Sequence, residues 1–116
     1  MVNVNNPFQG DYKKVLCICT IGMLRSPTCA FVLSNEPFNF NTRACGIDKG
    51  LALIPMTDVL LKWADEIVVM DSYQKLIIKK LTEKPIICLN IEDVFDYRDP
   101  ALMEIIKIRY LEETKK

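Results

Sequence analysis

Short apolar runs alternate with helix-patterned segments along most of this chain, and that alternation limits the folds open to it. Val15-Leu16-Cys17-Ile18 is short, largely apolar and preceded by Lys13-Lys14, the pattern of a buried strand. Pro27 to Asn35 follows as a helix with Ala30 and Leu33 on one side, broken by Pro37 and the asparagines near it. Thr42 to Cys45 reads as a short strand ending at Gly46. Met56, Val59, Leu60, Trp63 and Ala64 fall at i, i+3, i+4, i+7 and i+8, which predicts an amphipathic helix with Thr57 or Asp58 near its start. Ile67-Val68-Val69-Met70 is a continuous apolar strand, Ser72 to Leu81 a helix, and Pro85-Ile86-Ile87-Cys88-Leu89 a fourth strand. Asp99-Pro100 opens a last helix, with aspartate as N-cap and proline at the first position. Leu102, Ile105, Ile106 and Tyr110 form its apolar stripe.

Continuous apolar strands separated by helices imply parallel pairing, with helices covering both faces of the sheet. The expected architecture is therefore α/β, a three-layer sandwich. Residues 1–12 read as a polar N-terminal extension and 13–116 as one domain, since 116 residues suit a single core. In such sheets a ligand sits beyond the carboxyl ends of the strands. Cys19, Gly46, Asp71 and the stretch 90–97 all lie at such ends, so four loops converge on one rim.

Composition narrows the function classes. The net charge is zero, so nothing advertises a nucleic-acid partner. No apolar run approaches the roughly 20 residues of a membrane span, and residues 1–7 lack the basic-then-apolar order of a signal peptide. Five cysteines at irregular spacings suit a reducing compartment, the cytoplasm, better than a disulfide framework. The chain has no histidine, which excludes Ser–His, Cys–His and histidine–metal schemes. Paired Cys-x2-Cys knuckles for zinc are absent as well.

The segment with the most chemistry is Cys19-Thr20-Ile21-Gly22-Met23-Leu24-Arg25-Ser26. It joins a predicted strand to a helix start at Ser26-Pro27, where Ser26 reads as the N-cap. Free helical N–H groups and the helix dipole favour an anion at such a turn, and the same field favours the nucleophilic thiolate form of a thiol. Arginine's planar fork suits two phosphoryl oxygens in a way lysine cannot copy. Cys19 is thus the candidate nucleophile, Arg25 the phosphate clamp, and the backbone of Thr20, Ile21, Gly22, Met23 and Leu24 the anion cradle. Ser26 suits both helix capping and a hydrogen bond to the thiolate. Cys17, Cys29, Cys45 and Cys88 read as small buried apolar residues.

A leaving oxygen also needs an acid. Glu92, Asp93, Asp96 and Asp99 follow the fourth strand. Asp93 stands soon after it with apolar Ile91 and Val94 nearby, an environment that raises a carboxyl pKa. Asp96 and Asp99 stay open as alternatives, and Asp99 is also explained as a helix cap. Phe95 and Tyr97 suit either a slot for a flat aromatic leaving group or core packing.

Together these segments resemble the low-molecular-weight protein tyrosine phosphatase superfamily, and within it the small predicted bacterial tyrosine phosphatases. The likeness rests on residues 15–28, on Arg43-Ala44-Cys45-Gly46-Ile47, on residues 61–70 and on residues 96–102, all in the family's order. It implies a four-stranded parallel sheet of order 2-1-3-4. It also implies hydrolysis of phosphotyrosine through a cysteinyl phosphate, without metal or cofactor, on a phosphotyrosine-containing protein or a small aryl phosphate. By resemblance Cys19 is the nucleophile, Arg25 the clamp, Ser26 the thiolate's hydroxyl partner, Asp93 the general acid and Phe95 a pocket aromatic. The usual loop, Cys-x-Gly-Asn-x-Cys-Arg-Ser, is altered here: Ile21 stands for the glycine, Gly22 for the asparagine and Leu24 for the second cysteine. Val94 replaces the proline that follows the family's acid. Two other readings share the same residues: a phosphate-binding module without useful turnover, and a thiol-dependent arsenate reductase on the same fold.

Overall fold

The computed structural model describes residues 3–4, 12–19, 25–47, 56–91 and 99–114. Its strands are β1 (Asn3–Val4), β2 (Lys14–Cys19), β3 (Asn41–Gly46), β4 (Glu66–Val69) and β5 (Ile86–Cys88). Its helices are α1 (Arg25–Leu33), α2 (Asp58–Trp63), α3 (Ser72–Lys79) and α4 (Pro100–Thr114).

The sheet order is β1-β3-β2-β4-β5. Strands β3, β2, β4 and β5 run parallel, which is the expected order 2-1-3-4 when strands are counted from β2. Strand β1 adds an antiparallel pairing on the far side of β3, with Asn3 opposite Arg43 and Val4 opposite Thr42. Two residues are too few to carry a strand periodicity, so this pairing leaves no signal in the sequence.

Central β2 pairs on both sides, from Lys14–Asn41 to Cys19–Gly46 on one and from Val15–Glu66 to Ile18–Val69 on the other. It is covered on both faces as well, which is why no polar residue interrupts Val15 to Cys19. Alternation sends Val15, Cys17 and Cys19 to one face, where they pack with Cys29, Ala30 and Leu33 of α1 and Leu102, Ile106 and Tyr110 of α4. Leu16 and Ile18 turn to the other face, with Leu61 of α2 and Ile78 of α3.

A polar cluster closes the amino end of the sheet. Tyr110 donates to Glu66 at 2.7 Å, and Lys13 reaches Glu66 at 3.1 Å and the Tyr110 oxygen at 3.0 Å. Burial, helped by the Glu66 hydrogen bond, pushes the Tyr110 phenol far up, so it stays a donor. Cys19 ends the same strand that Lys13 precedes, so the rim at the carboxyl ends is kept for other chemistry.

Two local expectations are corrected. Helix α1 starts at Arg25, so Ser26 is its second residue rather than its cap. Proline is tolerated anywhere in a first turn, because those N–H groups lack intrahelical partners, and the Ser-Pro signal is correspondingly loose by a residue. In α2 the apolar stripe is shifted: Leu61 is buried while Val59 is 73 % exposed. Thr57 is the N-cap, in extended conformation and accepting from the Leu60 N–H at 3.2 Å. Met56 therefore lies outside the helix, and the helical phase cannot be counted from it. Asp99 does cap α4, accepting from the Ala101 N–H at 2.9 Å. No helix among the described residues is long and apolar enough to cross a membrane.

Candidate active site

The site grows from the carboxyl end of β2. Cys19 is the last residue of that strand, 4 % exposed, with its carbonyl bound by the Ile47 N–H at 2.9 Å. The chain returns at Arg25 into α1, which packs on the same face of the sheet. This return brings the Ser26 hydroxyl to 3.0 Å from the Cys19 sulfur. The same oxygen lies 3.2 Å from the Cys45 carbonyl at the end of β3. One hydroxyl hydrogen thus has two acceptors within reach. With a thiol at Cys19, Ser26 donates to Cys45 and accepts from sulfur. With a thiolate, the hydroxyl turns and donates to sulfur.

Arg25 is 4 % exposed, and a buried guanidinium needs partners. Its Nη1 donates to the Asp71 carboxylate at 3.0 Å and to the Ile91 carbonyl at 2.8 Å. Asp71 follows β4 and caps α3, in extended conformation. Gln74, fully buried, locks this corner by accepting from the Met70 and Asp71 N–H groups at 2.8 and 3.0 Å. Ile91 follows β5, and its N–H bonds the Met70 carbonyl at 3.0 Å. Loops after three parallel strands therefore meet at Arg25.

Cys19 and Ser26 are in contact, and Arg25 precedes Ser26 at the head of α1. Thr20, Ile21, Gly22, Met23 and Leu24, and likewise Asp93 and Phe95, lie outside the described residues, as do Glu92, Asp96 and Tyr97. The sequence alone does not reveal that Asp71 and the Ile91 carbonyl hold Arg25. The available signal is a carboxylate directly after a continuous apolar strand, on the rim where Arg25 is expected.

Two neighbouring thiols are held in the protonated form. Burial pushes the Cys45 thiol up to about 12, with the nearby Cys19 adding to it. Burial likewise holds Cys17 well above the ordinary thiol range, with Cys29 beside it. Both stay protonated at neutral pH and are poor nucleophiles.

The Arg25–Asp71 pair gives a direct expectation. Asp71→Asn keeps a hydrogen-bond acceptor but removes the Asp71 charge from beside the buried guanidinium. Midpoint temperature should fall, and phosphate affinity should change with it if Arg25 addresses the anion. A loss of about 1–3 kcal/mol is expected for such a charged hydrogen bond. Unchanged thermal unfolding and unchanged phosphate binding in Asp71→Asn would show that the pair does not position Arg25.

No protein-family model and no curated protein matches the chain. Solved structures do. The tyrosine phosphatase Wzb from Escherichia coli K30, in complex with phosphate, superposes with a TM-score of 0.66 at 15 % identity, over 90 % of this chain and 97 % of that one. The Erwinia amylovora tyrosine phosphatase AmsI gives 0.66 at 15 % identity, over 96 % and 97 %. The YwlE arginine phosphatase from Geobacillus stearothermophilus gives 0.63 at 19 % identity, over 89 % and 93 %. A strand-ending cysteine, an arginine opening the next helix and a parallel sheet of order 2-1-3-4 therefore stand, in this chain, on the fold of the low-molecular-weight phosphatases.

Proposed function

We propose that the protein is a cysteine-dependent phosphomonoester hydrolase acting on phosphotyrosine, in a protein or as a small aryl phosphate. The observation that carries this reading is the contact of Cys19 with Ser26 at 3.0 Å, one residue from a buried, ion-paired Arg25. In the first step the Cys19 thiolate attacks phosphorus, a sulfur–phosphorus bond forms and the bond to the leaving oxygen breaks. Asp93 gives that oxygen a proton. In the second step water attacks phosphorus, Asp93 takes the water's proton, and sulfur leaves as thiolate with inorganic phosphate released. Ser26 stabilises the thiolate in both its attacking and leaving roles. The planar guanidinium of Arg25 is assigned to two phosphoryl oxygens. The five cysteines are free, which supports a cytoplasmic setting.

The fold likeness to an arginine phosphatase favours one second reading, with phosphoarginine as substrate. Rates on phosphotyrosine and phosphoarginine peptides of one sequence separate the two. The general acid is tested by leaving-group dependence. Asp93→Asn should slow phosphotyrosine far more than nitrophenyl phosphate, whose leaving oxygen is already stable as an anion. Asp96→Asn and Asp99→Asn are the controls. If one of them shows that dependence and Asp93→Asn does not, the acid is the other carboxylate. Arsenate-dependent thiol oxidation with no phosphate release would instead identify a reductase.

A further inference from the structure

Arg109 lies near the middle of α4, ten residues past the cap, on a helix that contributes no residue to the site described above. Its Nη1 donates to the Leu89 carbonyl at 2.9 Å and to the Asn90 carbonyl at 2.8 Å. Those two residues and Ile91 form the turn that leaves β5. Asn90 sits at φ 53°, the left-handed region that asparagine tolerates better than most residues. The turn is tied back to β4 through the Leu89 N–H on the Val69 carbonyl and the Ile91 N–H on the Met70 carbonyl, each at 3.0 Å. Its next carbonyl, that of Ile91, is the one that Arg25 binds at 2.8 Å.

Three successive carbonyls therefore face two arginines. Leu89 and Asn90 are held by Arg109, and Ile91 holds Arg25. Carbonyl dipoles aligned on one cation fix the peptide planes between them, because rotating one plane breaks a charge-assisted bond. Leu89 and Ile91 are also buried, at 1 % and 2 % exposure, so the turn cannot slide without opening the core.

We infer that Arg109 is a positioning residue for the proposed phosphatase site: it fixes the Leu89–Asn90–Ile91 turn and, through the Ile91 carbonyl, the orientation of the Arg25 fork. Arg109 does not touch the phosphate. It acts through Arg25 alone, and this rests on the proposed role of Arg25 as the phosphate clamp. A residue of this kind makes α4, on the outside of the molecule, part of the determinants of turnover.

The test uses Arg109→Leu and Arg109→Lys in the full chain, alone and combined with Arg25→Lys. Turnover of nitrophenyl phosphate, binding of inorganic phosphate by calorimetry and thermal unfolding are measured together. Arg109→Leu is expected to lower kcat about 10-fold to 100-fold, the scale of a small misplacement of a catalytic group, and to weaken phosphate binding. Arg109→Lys, which can still reach a carbonyl with charge, is expected to recover most of the loss in a folded protein. Added to Arg25→Lys, Arg109→Leu is expected to cost less than about 2-fold more, because residues acting through one another do not add. The inference is overturned if folded Arg109→Leu keeps wild-type kcat and phosphate affinity. It is equally overturned if its loss multiplies with that of Arg25→Lys. Should Arg109→Leu not fold, Arg109→Gln, which keeps the polarity but loses the charge and the two-carbonyl reach, decides: reduced kcat and phosphate affinity that vanish as an effect in the Arg25→Lys background support the role, and independent effects or none refute it. A wild-type protein that binds phosphate without turnover removes the phosphatase reading but still tests the positioning through affinity. One that does neither removes both.

Discussion

Cys19→Ser is expected to remove hydrolysis of aryl phosphates while the protein stays folded and still holds phosphate. Serine nearly matches cysteine in shape, and position 19 is closely packed at the end of the central strand, 4 % exposed and paired with Gly46 of β3. The fold should therefore tolerate the change. The chemistry should not. A serine hydroxyl is un-ionised at neutral pH and needs a general base to become a nucleophile, and this chain has no histidine to serve as one. Ser26, its neighbour at 3.0 Å, is another hydroxyl and cannot take the proton. The rate should fall by about 10⁴-fold or more, the scale for deleting a nucleophile. Calorimetry with inorganic phosphate and steady-state assays on nitrophenyl phosphate read the two halves of the expectation. Hydrolysis surviving in Cys19→Ser would contradict the thiolate mechanism.

Arg25→Lys should cost at least about 10²-fold in kcat, the scale for removing one transition-state donor. Arg25 addresses two directions at once. Its Nη1 is bound to Asp71 and the Ile91 carbonyl, and the guanidinium is also assigned to phosphate in the proposed site. Lysine brings one nitrogen to a position that needs several donors in a fixed plane. It can keep the charge pairing with Asp71 and so much of the stability, or reach toward phosphate, but not both in the arginine geometry. The substitution should thus separate the two roles, with a modest fall in midpoint temperature and a large fall in kcat. A near-wild-type rate on nitrophenyl phosphate would place Arg25 outside the reacting site.

The parts of this architecture readable in the sequence are those set by burial. Val15 to Cys19 announces a central strand because a strand covered on both faces admits no polar residue. Cys19 at its end and Arg25-Ser26 at the next helix follow from the apolar run that closes at Cys19 and the helix signal at Ser26-Pro27. The unreadable parts depend on who stands opposite. Val59 matches the helical period yet faces water, because the cap at Thr57 starts a helix of six residues out of phase with Met56. The position of Asp71 after an apolar strand puts it on the rim, but does not reveal that its carboxylate meets Arg25, 46 positions earlier. Arg109 carries no motif at all, and its bonds to Leu89 and Asn90 arise only from how α4 lies against β5. Backbone carbonyls such as that of Ile91 belong to every residue and are invisible to any reading by side-chain type.

Trapping the intermediate is the most direct test of the central claim. Wild-type protein turning over nitrophenyl phosphate is quenched within the first turnovers, and the phosphoryl group is located by mass spectrometry under conditions that preserve thiophosphates. Phosphate carried on the Cys19 sulfur, appearing with a burst of nitrophenol and absent from Cys19→Ser, is the expected result. Full turnover with no covalent phosphoryl group, or with that group on Ser26 or another residue, would contradict it.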